Sequence, residues 1–130
     1  MDTMTIITRT AATACLALVS SGVAMPAAAA DPEAGGKVFK TQCSACHAVV
    51  EGKKGIGPSL YGVVGRTAGT VADYHYSEAN KGSGLIWDEA TLDRYLVNPR
   101  AVMPGTTMSY AGVKNDTQRA DLVAFLATVK

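Results

Sequence analysis

The sequence carries almost no excess of charge of either sign. Its 130 residues include 12 Lys or Arg and 11 Asp or Glu, for a formal net charge of +1. Proteins that bind nucleic acids usually present a strongly basic surface, and nothing in this balance points to one. Signals for β-strands are also weak, because the apolar runs at 63–64 and 85–87 are too short to define strands. These shortages argue against nucleic-acid binding and against a sheet-based fold.

Residues 1–30 have the pattern of a secretory leader. Arg9 is followed by an apolar run to about Met25, and a segment of small residues then ends at Ala30. A charged start, an apolar stretch and small residues at the end are typical of a cleaved signal peptide, and we place cleavage after Ala30. The run is shorter than the ~20 apolar residues of a membrane span, so an uncleaved anchor is the less favoured alternative.

Removal of this leader leaves residues 31–130, which we predict to form one domain. The leader takes Cys15 with it, so Cys43 and Cys46 remain. A lipoprotein role for Cys15 fails, because the apolar run follows this cysteine instead of preceding it. A domain of this size buries only a modest core, and glycine is frequent in it. We therefore expect much of the chain to be loop wrapped around a cofactor.

Residues 43–47 read C-S-A-C-H, which is the attachment signature of a c-type haem. Two thiols three residues apart lie on one face of a helical turn, where they can add to the two vinyl groups of one porphyrin. His47 is then carried to the iron as an axial ligand. A bare C-x-x-C would also fit a redox dithiol, half of a zinc site or a disulfide. The adjoining histidine favours haem.

Three helices of useful length are predicted, and the domain is expected to be all-α. The first covers residues 32–46, after Asp31 as its cap. The second starts at Asp88, which can cap it, carries an apolar stripe, and ends at Asn98-Pro99. The third runs from residue 115 or 116 to about 128. A single helical turn is predicted at 77–80. The apolar faces of the second and third helices comprise Leu92, Tyr95, Leu96, Leu122, Val123, Phe125, Leu126 and Val129.

The second axial ligand of the iron has three candidates in the mature chain, which are His75, Met103 and Met108. A thioether sulfur opposite imidazole raises the iron potential and fills the coordination shell. Met108 follows a Pro104-Gly105 turn that would present it on a loop, whereas Met103 is held extended just before the proline. Either methionine also fits a gap-filling role in the core, and His75 fits a solvated loop. Local reasoning favours Met108 without excluding the others.

The motifs of residues 31–130, taken in order, resemble those of the class I cytochromes c, in the bacterial cytochrome c2 and mitochondrial-type group. Beyond C-x-x-C-H, residues 57–62 (G-P-S-L-Y-G) are similar to the family's G-P-x-L-x-G. Residues 104–108 (P-G-T-T-M) are similar to its P-G-T-x-M ligand loop. The resemblance implies a single-domain cytochrome c fold, with three main helices and long loops wrapped around one haem c. It also implies that this haem is covalently bound through Cys43 and Cys46.

The resemblance further implies roles for individual residues. His47 and Met108 would be the iron ligands, Met103 would be a packing residue, and the Pro58 carbonyl would accept the Nδ1 proton of His47. Tyr74 would cover the lower haem edge. The residues implied to hydrogen-bond or screen a buried propionate are Arg66, Tyr76 and Trp87. The residues implied to form a polar network beside Met108 are Asn80, Tyr95 and Thr106.

The function implied by the resemblance is one-electron transfer and not enzymatic turnover, because two axial ligands leave no open site on the iron. The leader indicates export to a bacterial periplasm. The chain would be a monomer that docks transiently on membrane redox complexes. By family analogy, these are a quinol–cytochrome c oxidoreductase and a cytochrome oxidase or photosynthetic reaction centre. No nucleic-acid partner is expected.

Two other functions stay open at this point. A labile Met108 would make the protein a haem peroxidase or a gas-ligand-binding protein. Alternatively, the domain would be a fixed subunit of a larger dehydrogenase. The chain also departs from the basic members of the family, since Gln42 and Thr107 stand where lysine is common. Electrostatic steering of an acidic partner should therefore be weaker here.

Overall fold

The computed structural model describes residues 28–130. The predicted leader lies outside these residues except for Ala28–Ala30, which are exposed coil, and Cys15 lies outside them altogether. The described part contains five helices and an isolated antiparallel bridge between Thr67 and Ile86, with no β-strand. The helices are α1 (Pro32–Gln42), α2 (Glu78–Lys81), α3 (Glu89–Val97), α4 (Pro99–Val102) and α5 (Asp116–Thr128). The all-α prediction is confirmed.

A short polar side chain caps the start of every one of these helices. In each case an oxygen of the cap accepts a hydrogen bond from a backbone N–H of the first turn, which would otherwise lack a partner. Two of these caps, Asp31 and Asp88, were expected from the sequence. The caps are Asp31, Ser77, Asp88, Asn98 and Asn115.

The prediction that the first helix reaches Cys46 is wrong, because α1 ends at Gln42. The N–H groups of Cys43 and Ser44 both donate to the Phe39 carbonyl, at 2.8 and 3.0 Å, so the regular ladder stops there. Residues 43–47 form a separate turn in which the N–H of His47 donates to the Cys43 carbonyl at 2.9 Å. The C-x-x-C-H motif therefore lies in a turn after the helix.

The loop expected after Asn98-Pro99 contains a helix of its own. Asn98 ends α3 as predicted, but its side chain also accepts from the N–H of Ala101 and so caps α4. Pro99 occupies the first helical position, where its missing N–H costs nothing. The same Asn-Pro pair thus closes one helix and opens the next.

The helices α1 and α5 form the most extensive helix pair, and α5 also packs on α3. Phe39 and Phe125 meet between α1 and α5, with ring centroids 5.5 Å apart. Arg119 joins α5 to α3, since its Nε donates to Asp93 Oδ1 at 2.7 Å. This hydrogen bond raises the pKa of the Arg119 guanidinium.

Among residues 28–130, no helix combines the length and the apolar character that a membrane crossing requires.

Candidate haem site

A cavity of about 420 Å³ lies between α3, α5 and the long loops. Its walls are mainly apolar, with a few polar side chains, which is typical of a cofactor site. All eleven residues that the sequence analysis proposed as cofactor-binding line this one cavity. They are Cys43, Cys46, His47, Pro58, Arg66, Tyr76, Asn80, Trp87, Tyr95, Thr106 and Met108.

Cys43 and Cys46 stand at one wall of the cavity as free, half-buried thiols. Burial, and then the neighbouring Cys46, raise the pKa of Cys43 to about 11. Cys43 is therefore a neutral thiol near pH 7. Addition of an S–H across the C=C bond of a haem vinyl group would give a thioether at this position.

The imidazole of His47 is held in one orientation and one tautomer. Its Nδ1 lies 2.8 Å from the Pro58 carbonyl oxygen, which can only accept, so Nδ1 carries the proton and Nε2 carries the lone pair. Gly57 makes room for the ring, because a Cβ at that position would lie 2.3 Å from His47 Cε1. Burial lowers the pKa of His47, although the bond to Pro58 acts in the opposite direction. The site thus favours a neutral imidazole with a free Nε2, which is the form that binds a metal.

Met108 lines the same cavity on the loop between α4 and α5. The Tyr95 hydroxyl lies 3.4 Å from the Met108 Sδ and 3.5 Å from the Thr106 Oγ1. The Tyr95 ring packs edge-on against Trp87, with centroids 4.8 Å apart. Since Tyr95 is buried and fixed by this packing, it holds the thioether in place.

The two other candidate ligands lie elsewhere. Met103 is 3% exposed and belongs to the hydrophobic core, which is the packing position implied by the resemblance. His75 is exposed and does not line the cavity. Of the three candidates, only Met108 reaches the cavity.

Asn80 makes no direct hydrogen bond to the polar network that was expected beside Met108. The structure links Tyr95, Thr106 and Met108 directly, and Asn80, on the short helix α2, lines the same cavity. Its Oδ1 is buried and has no hydrogen-bond partner among the described residues. A buried polar atom normally has a partner. An amide oxygen only accepts, so this atom would need a hydrogen-bond donor, which the ionised propionates of a haem do not supply.

Arg66 and Tyr76, which were expected around a propionate together with Trp87, also line the cavity. Two nitrogens of Arg66 donate to the carbonyls of Tyr61 and Ser59, at 2.8 and 3.0 Å, which leaves its other N–H groups available. The Tyr76 hydroxyl accepts from the Val71 N–H at 3.3 Å. Burial lowers the pKa of Arg66 and raises that of Tyr76.

The aromatic side chains here also fix one another. Tyr74 stacks edge-on against Tyr76, with centroids 4.7 Å apart, and its hydroxyl donates to the Ile56 carbonyl at 2.7 Å. These contacts orient the two rings in the cavity wall.

Taken together, these residues fit a covalently bound haem. Two thiols, a neutral imidazole and a thioether line one apolar cavity, where the remaining N–H groups of Arg66 could pair with a propionate. Nitrogen and thioether sulfur together are the donors typical of a haem iron that transfers electrons.

Sequence reasoning missed part of this cavity wall. It identified Leu92, Leu96, Leu122 and Leu126 as the apolar faces of two helices, and these faces prove to line the cavity. The i, i+4 spacing of these leucines predicts that they are buried. It does not predict that they face a cavity. Sequence reasoning also missed the contact between Gln42 and Tyr110 at the cavity mouth.

Comparison with known proteins agrees with this geometry. The family model described as "Cytochrome c" matches residues 32–130. The chain is 56% identical over 102 residues to a cytochrome c2 from Rhodomicrobium vannielii, covering 78% of this chain and 81% of that protein. It is 50% identical over 98 residues to a cytochrome c2 from Rhodoplanes tepidamans, covering 75% of this chain and 91% of that protein.

A solved structure with the same fold is that of cytochrome cH from Methylobacterium extorquens. The TM-score is 0.71 and the sequence identity 44%, over 75% of this chain and 98% of that one. The fold and the sequence thus point to the same family.

Proposed function

Because the chain belongs to the cytochrome c family and carries the attachment motif for haem c, we propose that it is a periplasmic carrier of single electrons between membrane redox complexes. The observation that carries this proposal is that His47 and Met108 line the same cavity as both cysteines. His47 presents a neutral Nε2 and Met108 a thioether held by Tyr95. Both side chains are therefore prepared as axial ligands.

When bound, the haem supplies an iron that cycles between the ferrous and ferric states. The chain's own residues decide what that iron can do. The Pro58 carbonyl keeps the His47 ring oriented, and Tyr95 keeps the Met108 sulfur in place, so neither ligand needs to move when the charge on the site changes. Such a rigid, mainly apolar wall excludes water and lowers the reorganisation that electron transfer requires. If His47 and Met108 both bind the iron, they would leave no open position for a substrate.

The partners proposed for the carrier are membrane redox complexes, namely a quinol-oxidising complex as donor and a terminal oxidase or photosynthetic reaction centre as acceptor. Gln42, Ile56 and Thr107 contribute uncharged side chains to the cavity lining. Ile56 is 78% exposed. An uncharged rim favours brief encounters that depend only weakly on salt. This is consistent with a monomer that exchanges between two partners.

Residues 1–30 are proposed to be the leader that exports the chain. The folded domain begins at Asp31, whose side chain caps α1 and whose N–H donates to Asp121 Oδ1 at 2.7 Å. The intact mass of the exported protein is expected to correspond to a chain that begins at Asp31 and carries one haem. A mass that includes residues 1–30 would contradict export by cleavage.

A spectroscopic redox titration of the purified holoprotein tests the proposed activity. We expect a single one-electron transition at a positive potential, with full recovery of the spectrum on reoxidation. Met108→Ala should lower this potential sharply, because the thioether stabilises the ferrous iron. Met103→Leu serves as the matched control and should leave the potential close to that of the wild type. An unchanged potential in Met108→Ala would contradict the proposed ligation.

A further inference from the structure

The loop that carries Met108 is anchored from the side of α3. The Val113 N–H donates to the Leu96 carbonyl at 2.7 Å, and the Tyr95 hydroxyl reaches both the Met108 Sδ and the Thr106 Oγ1. Inside the loop, the Met108 N–H donates to the Thr106 Oγ1 at 3.2 Å. All of these bonds hold the loop to α3 or to itself.

One hydrogen bond connects this loop to the other side of the cavity. The Tyr110 hydroxyl donates to the Gln42 Oε1 at 2.5 Å, although the two residues are 68 positions apart in the chain. Gln42 is the last residue of α1 and directly precedes Cys43. Within residues 28–130, no other hydrogen bond joins residues 104–112 to α1 or to the turn at 43–47.

This hydrogen bond is coupled to the position of Met108. Tyr110 is half-buried and lines the cavity together with Gln42. It lies two residues beyond Met108, and its own N–H donates to the Met108 carbonyl at 3.1 Å. If the loop swings away from α1, Tyr110 must leave Gln42, and Met108 moves with it.

We propose that the Tyr110–Gln42 hydrogen bond is a latch that holds the methionine loop closed over the cavity, which makes Tyr110 a positioning residue for the thioether. This inference rests on the proposed function, since it assigns the sixth iron ligand to Met108. The latch opposes release of the Met108 sulfur from the iron, but neither Tyr110 nor Gln42 is a ligand of the iron. Loss of this hydrogen bond should therefore increase the rate at which Met108 leaves the iron. The state in which Met108 is bound should stay the same.

Imidazole binding to the ferric holoprotein tests the latch, because imidazole can take the sixth position only after Met108 has left. At saturating imidazole, the rate at which the methionine–iron charge-transfer band disappears reports loop opening. Tyr110→Phe and Gln42→Leu should each increase this rate by about three- to tenfold, as expected for the loss of one hydrogen bond. The double variant should open no faster than either single variant, because all three lack the same bond.

Two further variants separate the latch from a general loss of stability. Gln42→Glu keeps an acceptor oxygen and should open at close to the wild-type rate. Tyr61→Phe removes a hydroxyl at a half-buried tyrosine that does not line the cavity, and it should leave the rate unchanged. In all variants the ferric spectrum before addition of imidazole should match that of the wild type.

Wild-type opening rates in Tyr110→Phe and Gln42→Leu, in a protein that shows the methionine–iron band, would overturn the latch and leave the proposed function intact. Strictly additive effects in the double variant would overturn it as well. Absence of the band from the wild type would instead overturn the assignment of Met108, and the latch with it.

Discussion

Gly35 of α1 and the backbone carbonyl of Asp121 in α5 are in direct contact, so that a Cβ atom at Gly35 would lie 1.9 Å from that oxygen. No side chain could move aside to make room for this Cβ, because the nearest atoms belong to the backbone of another helix. The two helices therefore cross with their backbones touching. This crossing fixes the end of α1, and with it the turn that carries the two cysteines.

Gly35→Ala should consequently destabilise the protein. We expect the free energy of unfolding to fall by about 2–3 kcal/mol, since overpacking against a backbone forces the helices apart. Chemical denaturation of the holoprotein measures this change. Gly36→Ala is the matched control, because its Cβ would lie 3.4 Å from the Phe125 ring, an ordinary contact. It should be neutral or stabilising, since alanine is the better helix former. Equal losses in the two variants would contradict the proposed contact.

Covalent attachment of haem can be tested by the mass of the protein and by whether acid acetone extracts the pigment. The wild-type protein should keep its pigment in acid acetone, and its mass should exceed that of the chain by one haem. Cys43→Ser leaves a single thioether and should lower the yield of holoprotein, whereas replacement of both Cys43 and Cys46 should allow full extraction. Pigment that extracts from the wild type would show that the cysteines are not bonded to it.

Asp88 gives a prediction for the dependence of stability on pH. Its Oδ1 accepts from the Thr91 N–H at 2.7 Å, and this hydrogen bond lowers the pKa of the carboxyl. A lowered pKa in the folded state means that the unfolded chain binds the proton first. The stabilisation is therefore complete above the ordinary carboxyl pKa and is lost as the pH falls through the folded value.

Asp88→Asn keeps the cap but cannot titrate. The difference in unfolding midpoint between wild type and Asp88→Asn should shrink as the pH falls from 7 towards 3. Glu89→Gln is the control, because it removes a charge from the same turn and leaves the cap in place. The difference in unfolding midpoint between Glu89→Gln and the wild type should change less over this pH range. Parallel curves for wild type and Asp88→Asn over this range would show that the cap carries no pH dependence.

Local signals predicted the helices well. Asp31 and Asp88 cap helices as expected, because a capping side chain and the N–H that it binds lie two or three residues apart in the chain. The last helix starts where it was predicted, at Asp116, with Asn115 as its cap. The pair Asn98-Pro99 was interpreted as a stop alone, although Pro99 also suits the first position of a new helix. The end of α1 was overestimated, because two N–H groups share the Phe39 carbonyl and nothing in the residue types requires it.

The cavity was predicted through the family resemblance more than through local pattern. Spacing alone identified the cysteines and His47, and left Met103, His75 and Met108 open as second ligands. In the structure only Met108 of the three lines the cavity, and the lining of a cavity is a tertiary property. The bond between Tyr110 and Gln42 joins residues 68 positions apart. Sequence reasoning on adjacent residues could not have found it.

The central proposal is that His47 and Met108 would take both axial positions of the iron, as expected of an electron carrier. The most direct measurement is the near-infrared spectrum of the ferric holoprotein, followed by exposure of the reduced protein to carbon monoxide. We predict that the wild type shows the methionine–iron charge-transfer band and does not bind carbon monoxide readily, while Met108→Ala loses the band and binds the gas. A wild-type protein that lacks the band and binds carbon monoxide readily would contradict this account.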